Sequence, residues 1–316
     1  MIDILITIVL IVLSLVFAAI MGMFFEGIDR KLKAKLQGRI GPSLFQSFID
    51  QVKLINKESI IPKKATKNLF VLAPFASLGF VSLAVLILPI GSAEPILPFT
   101  GDFIVALYLL TATSAFLMFA GSASGSHFGA IGSSREMTQI YSYELPLITA
   151  FSAIFLLTET FSFETILGYQ LAQGWLITIL PFAGIAFFLC MIAKLGKPPF
   201  DSPEADVEII EGSLAEYSGN LLSVFKLAGA IKLFVAVSLF VIVFLGGHIG
   251  PIPAIVPGIG MLNHLIKMVV VIALMAVFAN INPRYKIKST LGFFWSIVLF
   301  FALIDLIRMI IIRGVV

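Results

Sequence analysis

Sulfur and imidazole ligands are scarce in this sequence of 316 residues. Cys190 is the only cysteine, and His127, His248 and His264 are the only histidines. An iron–sulfur cluster or a structural zinc site takes about four such ligands held close together. A single cysteine also cannot form a disulfide within the chain. The sequence therefore excludes these centres and predicts that the chain carries no cofactor of its own.

Charge is scarce as well. Only 12% of the residues are charged, 59% are apolar, and the mean hydropathy is +1.07. A soluble globule of this size needs more polar surface than such a composition can supply. The composition predicts an all-α integral membrane protein, residues 1–316 forming a single membrane domain. This composition indicates that the chain is surrounded by a lipid bilayer and does not bind nucleic acid.

Long apolar runs define the predicted architecture. A helix needs about 20 apolar residues to cross a bilayer. The first run follows Met1-Ile2-Asp3 without a basic leader, which favours a membrane span over a signal peptide. Eight runs of sufficient length are predicted to be transmembrane helices: Ile4–Phe25, Phe70–Ile90, Phe103–Ala120, Met137–Leu157, Trp175–Ala193, Leu221–Leu245, Leu262–Ala279 and Leu291–Met309.

The cationic residues predict the orientation of these spans. The loops 26–69, 121–136, 194–220 and 280–290 carry 10, 1, 2 and 3 lysines or arginines, whereas the loops between them carry none. Cytoplasmic loops are enriched in lysine and arginine. We therefore expect these four loops to be cytoplasmic and both termini to lie outside, in the plasma membrane of a prokaryote.

The first cytoplasmic loop is too long to be a simple connector. Within it, apolar residues from Leu44 to Ile55 recur at helical spacing, opposite a polar face that includes Asp50 and Lys53. Gly41-Pro42 ends the preceding element. This pattern predicts an amphipathic helix at the membrane interface, either as a lipid anchor or as part of a docking surface.

The third cytoplasmic loop holds six of the 18 carboxylates. Ser202 suits an N-cap, Pro203 a first helical position and Gly212 a helix end, which predicts a short helix over 203–211. Glu204, Glu208 and Glu211 would then share one face, where like charges destabilise a helix unless they are neutralised. Such a stripe suggests proton binding, although a solvated acidic loop is the simpler alternative.

Several charges fall within the predicted spans. Glu144 lies seven residues into the fourth span, just before Pro146, which is expected to break the helix locally. Lys232 lies in the sixth span, and an intramembrane ionisable group is a functional candidate by default. Asp305 and Arg308, three residues apart, are expected to form a local ion pair outside the site.

Three motifs in order resemble subunit 1 of respiratory complex I over essentially the whole chain. They are Gly38-Arg39-Ile40-Gly41-Pro42, Ser134-Arg135-Glu136 leading to Tyr141-Ser142-Tyr143-Glu144-Leu145, and Pro199-Phe200-Asp201 through Glu216-Tyr217-Ser218-Gly219. The resemblance implies eight spans, a peripheral electron-transfer arm docked on the cytoplasmic loops, and a charged path toward antiporter-like membrane subunits.

The resemblance also assigns roles to residues. Glu26, Arg30 and Arg39 would lie at the interface with the peripheral arm. Glu144 would follow the acidic third loop along the coupling route. Lys232 is counted among the ion-coupling residues because it lies in the sixth span, not because of the resemblance. The third-loop carboxylates that would couple electron transfer to ion movement are Asp201, Glu204, Asp206, Glu208, Glu211 and Glu216.

The chain departs from the quinone-reducing branch of this family. It has Lys194 and Gly196-Lys197 where that branch usually has a glutamate and an arginine, and Ser43 where that branch favours asparagine. These differences resemble the energy-converting membrane-bound [NiFe]-hydrogenases and the related sulfur-reducing complexes. The resemblance implies hydrogenase-like large and small partner subunits, which would hold Fe–S clusters and a possible NiFe centre, with no catalytic centre in this chain.

Two other classes of function remain open from the residues alone. The intramembrane charges would also suit a stand-alone ion transporter, although the sequence has no convincing internal repeat of the kind such folds often show. The long loops would suit a passive membrane anchor, which would not need Glu144 or the third-loop carboxylates. A sulfur-reducing or quinone-reducing complex is the nearer alternative to the hydrogenase type.

Overall fold

The structure is a computed structural model that describes residues 2–92, 94–250 and 258–314, and only the backbone of residues 2–4, 206 and 207. Helices and turns account for the regular structure of these residues, with no strand among them. The α-helices are α1 Ile2–Leu36, α2 Gln46–Ile55, α3 Lys67–Ile87, α4 Asp102–Ala123, α5 His127–Thr158, α6 Phe163–Gln173, α7 Leu176–Ile179, α8 Pro181–Lys194, α9 Asp206–Ile209, α10 Gly219–Leu245, α11 Ile259–Ile281, α12 Ile287–Phe293 and α13 Leu299–Gly314.

Seven helical segments in the described part of the chain are long and apolar enough to cross a membrane. They are α1, α3, α4, α5, α10, α11 and the continuous stretch from α12 through a π-helical turn to α13. The predicted fifth span, Trp175–Ala193, is instead divided into α7 and the 14-residue α8. The all-helical membrane fold is thus confirmed, while an eighth uninterrupted span is not found.

The divided span follows from one proline. Pro181 lacks an N–H group and disfavours helical geometry at the preceding residue. Leu180 accordingly adopts φ −121° and ψ 64°. The buried Asp305 carboxylate accepts a hydrogen bond of 2.8 Å from the Ala183 N–H, and Arg308 donates to the Ile179 carbonyl. The predicted Asp305–Arg308 pair forms at 3.2 Å and joins both sides of the break.

Two helices extend well beyond their predicted spans. Helix α1 has 35 residues, about 52 Å at 1.5 Å per residue, which exceeds a hydrocarbon core of about 30 Å. Helix α5 has 32 residues and begins at His127. The predicted loops 26–69 and 121–136 are therefore too long at these ends. Pro146 also lies inside α5, which continues to Thr158, so the local break expected at this proline does not end the helix.

Helix α10 occupies the centre of the bundle. Every residue from Ala230 to Phe244 on this helix is buried. Helices α1, α2, α3 and α11 pack around it, and α5 packs against α4, α8 and α13 on the other side. An apolar helix buried on all faces has this central place in a helical bundle. The arrangement puts α4 between α10 and α5, where it can connect polar groups from both.

The predicted amphipathic helix of the first loop is confirmed as α2. Its apolar residues face outward, with Phe45 62% and Val52 60% exposed, while Ser47 is turned into the protein. The chain reaches α2 by passing close to α1 at Gly27, where a Cβ atom would lie 2.1 Å from the Leu44 carbonyl oxygen. A glycine is required at that crossing.

The predicted helix over 203–211 does not form. The segment instead contains a 3₁₀ turn at Ser202–Glu204, the four-residue α9 and a second 3₁₀ turn at Gly212–Leu214. Ile210 and Glu211 adopt left-handed backbone conformations that end α9 early. Separate tertiary contacts by Glu208 and Glu211 replace the shared face that the spacing suggested.

Candidate functional site

A charged cluster is buried where α4, α5 and α10 meet. Glu136 of α5 is 6% exposed and lies near Ser114 of α4. Lys232 of α10 donates a hydrogen bond of 2.6 Å to the same Ser114 hydroxyl. Glu204 of the third loop is the second carboxylate that acts electrostatically on Glu136 and Lys232. Two predicted residues, Glu204 and Lys232, are therefore brought together around Glu136, which was not predicted.

A second cluster surrounds Glu144. Thr111 of α4 donates a hydrogen bond of 2.6 Å to the Glu144 carboxylate. Lys194, at the end of α8, is only 3% exposed and lies 3.5 Å from the same carboxylate. Its ammonium group donates to the Thr111 hydroxyl at 2.6 Å and lies 5.4 Å from the centre of the Tyr143 ring. Glu144 thus has a buried cation and a hydroxyl as partners.

Helices α4 and α5 connect the two clusters. Ser114 and Thr111 are three residues apart on α4, so they are neighbours on one face, about 5–6 Å apart. Glu136 and Tyr143 are seven residues apart on α5 and also share a face. Tyr143 is buried between the charges of Glu136 and Glu144. The polar side chains from Glu204 to Glu144 therefore form a series of two clusters that share faces of α4 and α5, and between them the Tyr143 hydroxyl has no hydrogen-bond partner among the described residues.

A cavity adjoins each end of this series. Glu26, Lys197, Glu204, Lys226 and Lys232 supply the charges around a cavity of about 130 Å³, which is room for about four water molecules. A second cavity, of about 140 Å³, lies between α4 and α5. Glu144 is the charged group of its lining, beside residues that include Tyr108, Ile148 and Phe151. The series begins next to the third loop and ends at the outer surface of α4 and α5.

The start of the third loop is fixed firmly in the bundle. Phe200 is fully buried, with its ring centre 4.9 Å from that of Phe294. Gln139 of α5 donates hydrogen bonds of 2.7 Å to the Ala193 carbonyl and 2.8 Å to the Phe200 carbonyl. The predicted site residue Asp201 pairs with Arg284 of the fourth cytoplasmic loop at 3.1 Å. Asp201 therefore links the third and fourth cytoplasmic loops.

The end of the third loop is anchored by Tyr217. Its hydroxyl donates a hydrogen bond of 2.9 Å to the Phe70 carbonyl, and the two rings stack with their centres 4.0 Å apart. Burial raises the pKa of the Tyr217 hydroxyl well above its usual value. Tyr217 accordingly remains neutral and holds the loop against α3.

The remaining third-loop carboxylates point in different directions. Glu208 is 55% exposed and pairs with Arg135 at 2.7 Å, whereas Glu211 lies 3.8 Å from Lys226. Glu216 is exposed. The side chain of Asp206 lies outside the described part of the chain. Of the loop carboxylates predicted to act together, Glu204 is the one that adjoins the buried clusters.

The predicted docking residues lie where α1 approaches α2. Arg30 pairs with Glu26 at 2.7 Å and with Asp50 of α2 at 3.1 Å. Arg39 is exposed and contacts Gln37. Asp29, which the sequence did not single out, is 4% exposed and pairs with Lys33 at 2.8 Å. Arg30 therefore connects two elements, while Arg39 is free to meet a partner.

Four residues of the two clusters were missed by the sequence analysis. Glu136 and Lys194 were assigned to loops, because the apolar runs end before the helices do. Glu136 was nevertheless part of a recognised motif. Glu136 and Lys194 also lie within one helical turn of a predicted span, a position that could have made them candidate site residues. Ser114 and Thr111 carry no such signal, since hydroxyl residues are common in membrane helices.

Comparisons with known proteins give the same family as the motifs. A family model described as NADH dehydrogenase matches residues 7–310. The chain belongs to this family. It is 31% identical to NADH-ubiquinone oxidoreductase chain 1 of Mycosarcoma maydis, with 94% of this chain and 90% of the relative aligned. Identity is also 31% to a subunit of the NADH-quinone oxidoreductase of Bacillus cytotoxicus, over 91% of this chain and 89% of the relative.

This chain is also similar to a solved structure from an archaeal complex. A chain of the membrane-bound sulfane sulfur reductase, an archaeal respiratory membrane complex, superposes with a TM-score of 0.88 at 28% identity. The match covers 96% of this chain and 99% of that one. The resemblance to complex I subunit 1 is thereby confirmed. This family member is a multi-pass membrane subunit of a respiratory oxidoreductase complex.

Proposed function

We propose that this subunit couples electron transfer in a docked peripheral arm to the movement of protons or sodium ions in neighbouring membrane subunits. The observation that carries the proposal is the series of charged and hydroxyl side chains from Glu204 to Glu144. Its closest contacts are the Lys232–Ser114 and Lys194–Thr111 hydrogen bonds, both 2.6 Å. Such a series can pass a change of charge from the third loop to the far side of α5.

The two ends of the series support a direction for this coupling. The cavity at the Glu204 end also contacts Glu26, a predicted docking residue, so a change in the arm would reach Glu204 first. The other end opens at Glu144 on the outside of α4 and α5, where an antiporter-like subunit would dock. An altered charge at Glu204 would change the electrostatic interaction between Lys232 and Glu136. That change would in turn alter the interaction between Lys194 and Glu144.

We propose a ferredoxin-linked, hydrogenase-type complex as the setting, with Fe–S clusters and a NiFe centre in its large and small subunits. Support comes from Lys194, which occupies a position where the quinone-reducing branch usually has a glutamate. Here the lysine contacts both Glu144 and Thr111. A buried cation at this point gives the route a different charge balance from that of two carboxylates.

A sulfur-reducing complex is the second candidate. It is favoured by the high structural similarity to the membrane-bound sulfane sulfur reductase, at a TM-score of 0.88. The coupling role of the membrane subunit would be the same in either setting. The terminal acceptor would be decided by the chemistry of the peripheral arm.

The coupling proposal is tested with the whole complex in proteoliposomes. Glu144→Gln should leave assembly and dye-linked electron transfer intact but abolish ion transport driven by ferredoxin oxidation. Glu164→Gln, an exposed glutamate in α6, makes the same chemical change away from the site and should behave as the wild type. Normal coupled transport in Glu144→Gln would disprove the role of Glu144.

The nature of the arm is tested by purification of the complex from its native membrane in mild detergent. Mass spectrometry of the co-purifying subunits and metal analysis then distinguish the candidates. Nickel together with a hydrogenase-like large subunit supports the hydrogenase type. Iron without nickel supports a sulfur-reducing or quinone-reducing complex, and a chain isolated without partners would contradict all of these and favour a stand-alone transporter.

A further inference from the structure

A polar cavity of about 310 Å³ lies between α1, α2 and α10. It shares Glu26 and Lys226 with the cavity at the Glu204 end of the clusters, but Glu136, Lys232 and Glu144 are not in its lining. This volume is about ten times the share of a water molecule in the liquid, enough for an organic ligand group. Residues from all three helices line it: Met23, Glu26, Arg30, Ser47, Asp50, Gln51, Lys53, Leu54, Lys57, Leu222 and Lys226.

The charge of this cavity favours an anion. Four cationic side chains face two carboxylates in its lining. Arg30 pairs with both carboxylates, Glu26 at 2.7 Å and Asp50 at 3.1 Å. Lys53 and Lys57 have no ion-pair partner in the described part of the chain. The negative groups are therefore satisfied within the protein, while two ammonium groups remain available.

A buried hydroxyl indicates that the cavity accepts a polar ligand. Ser47 is 7% exposed, and its hydroxyl has no hydrogen-bond partner among the described residues. A buried polar group without a partner costs free energy. Gln51, one turn along on the same side of α2, is already occupied by hydrogen bonds to Ser223 of α10. Ser47 can donate to a ligand oxygen that the lysines attract.

The position of the cavity indicates a lipid as the source of that anion. The outward face of α2 presents Phe45, Ile49 and Val52 to its surroundings, as expected for a helix lying in a membrane interface. Met23 and Leu222 line the cavity beside the charged groups, so apolar and cationic surfaces meet there. A phosphodiester with attached acyl chains has the same two chemical parts.

We propose that the cavity between α1, α2 and α10 binds the headgroup of an anionic phospholipid. The phosphodiester lies against Lys53, Lys57 and the Ser47 hydroxyl, and the acyl chains leave past Met23 and Leu222. The lipid fills the space under α2 and holds that helix against α1 and α10.

The experiment compares lipid binding by the intact, gently delipidated complex. Phosphatidylglycerol and phosphatidylcholine are added separately, and native mass spectrometry counts the lipids retained. Lys53→Gln/Lys57→Gln should bind phosphatidylglycerol about thirtyfold more weakly at one site, since each lysine near an anionic lipid contributes about a factor of five. Lys63→Gln/Lys64→Gln removes the same charge from the same loop outside the cavity and should match the wild type.

Two further variants separate ligand binding from local damage. Lys53→Arg/Lys57→Arg should restore the bound lipid, because arginine keeps the charge, and Ser47→Ala should weaken binding with the lysines intact. Equal loss of phosphatidylglycerol in the Lys63/Lys64 control would overturn the proposal, as would equal retention of phosphatidylcholine. Inorganic phosphate that stabilises the complex as well as the lipid does would assign a free anion instead.

Discussion

Two of the buried lysines differ from ordinary surface charges because they belong to the clusters around Glu136 and Glu144. Lys194 and Lys232 are 3% and 8% exposed, and each donates to a hydroxyl of α4. A buried charge is tolerated when hydrogen bonds and an opposite charge compensate its lost hydration. Glu144 and Glu136 supply those opposite charges. Each cluster is therefore a unit in which the removal of one member alters the others.

Lys194→Gln is expected to destabilise the complex and uncouple it. Breaking a buried pair by removing one partner typically costs about 3–5 kcal/mol, and the partial exposure of Glu144 favours the lower end. Thermal unfolding and coupled ion transport are measured together. Lys288→Gln, which removes an exposed lysine outside both clusters and cavities, serves as the control. Lys194→Gln/Glu144→Gln should recover stability without coupling, and restored coupling in that double variant would contradict the assigned roles.

Glu136 and Glu208 are expected to respond differently to the same change. Glu136→Gln removes the buried carboxylate near Ser114 and Lys232, so coupled transport should fall by about a hundredfold, the scale of a lost proton-transfer group. Glu208 is more than half exposed in its pair with Arg135, so Glu208→Gln should change transport less than about twofold. Initial rates of ion uptake measure both, and equal losses would refute this distinction.

At the scale of elements, the divided span is held by its neighbour. Helix α8 places Lys194 against Glu144, and its first turn depends on α13 for a hydrogen-bond acceptor. Asp305 accepts from Ala183, while Arg308 donates to Ile179 on the other side of Pro181. In a bilayer such open backbone groups must be satisfied within the protein. The pair thus compensates for the break at Leu180.

Asp305→Ala should loosen α8 and destabilise the protein by about 1–3 kcal/mol, because the buried Ala183 N–H then lacks its hydrogen-bond acceptor. Cys190, the sole and fully buried thiol, reports the change. We expect faster maleimide labelling of Cys190 together with a lower unfolding temperature. Glu159→Ala removes a carboxylate from the exposed Glu159–Arg313 pair and is the control. Unchanged labelling in Asp305→Ala would show that the pair does not hold α8.

At the scale of the whole molecule, α7 and α8 decide how often the chain crosses the bilayer. Helix α8 alone spans about 21 Å, which is less than a hydrocarbon core of about 30 Å. The short α7, which lies before the break at Leu180, adds to this length. If the two together make an eighth crossing, the cationic loops all lie on one side. The third loop and the first loop then meet the same peripheral arm.

This orientation is tested with single cysteines in a Cys190→Ala background. An impermeant maleimide should label Glu164→Cys in intact cells and leave Glu216→Cys and Lys64→Cys unlabelled until the membrane is opened. Glu164 and Glu216 lie on either side of α7 and α8 and are both exposed. Labelling of Glu164→Cys and Glu216→Cys from the same side would rule out the eighth crossing.

The sequence alone determined the features that depend on composition and local pattern. Apolar runs located seven long helices, because the bilayer requires about 20 apolar residues in each span. Helical spacing also located α2, and the motifs identified the family. Local signals were insufficient at 203–211, where favourable capping residues did not overcome the contacts of Glu208 with Arg135 and Glu211 with Lys226.

Only the tertiary structure decided which charges belong together. Glu136, Lys194 and Lys232 come from three helices, and their partners Thr111 and Ser114 come from a fourth. No spacing along one chain segment specifies such contacts, because they depend on how the helices pack against each other. The sequence therefore determined the membrane fold and its family, while packing of α4 between α5, α8 and α10 determined which polar groups lie near Glu204 and Glu144.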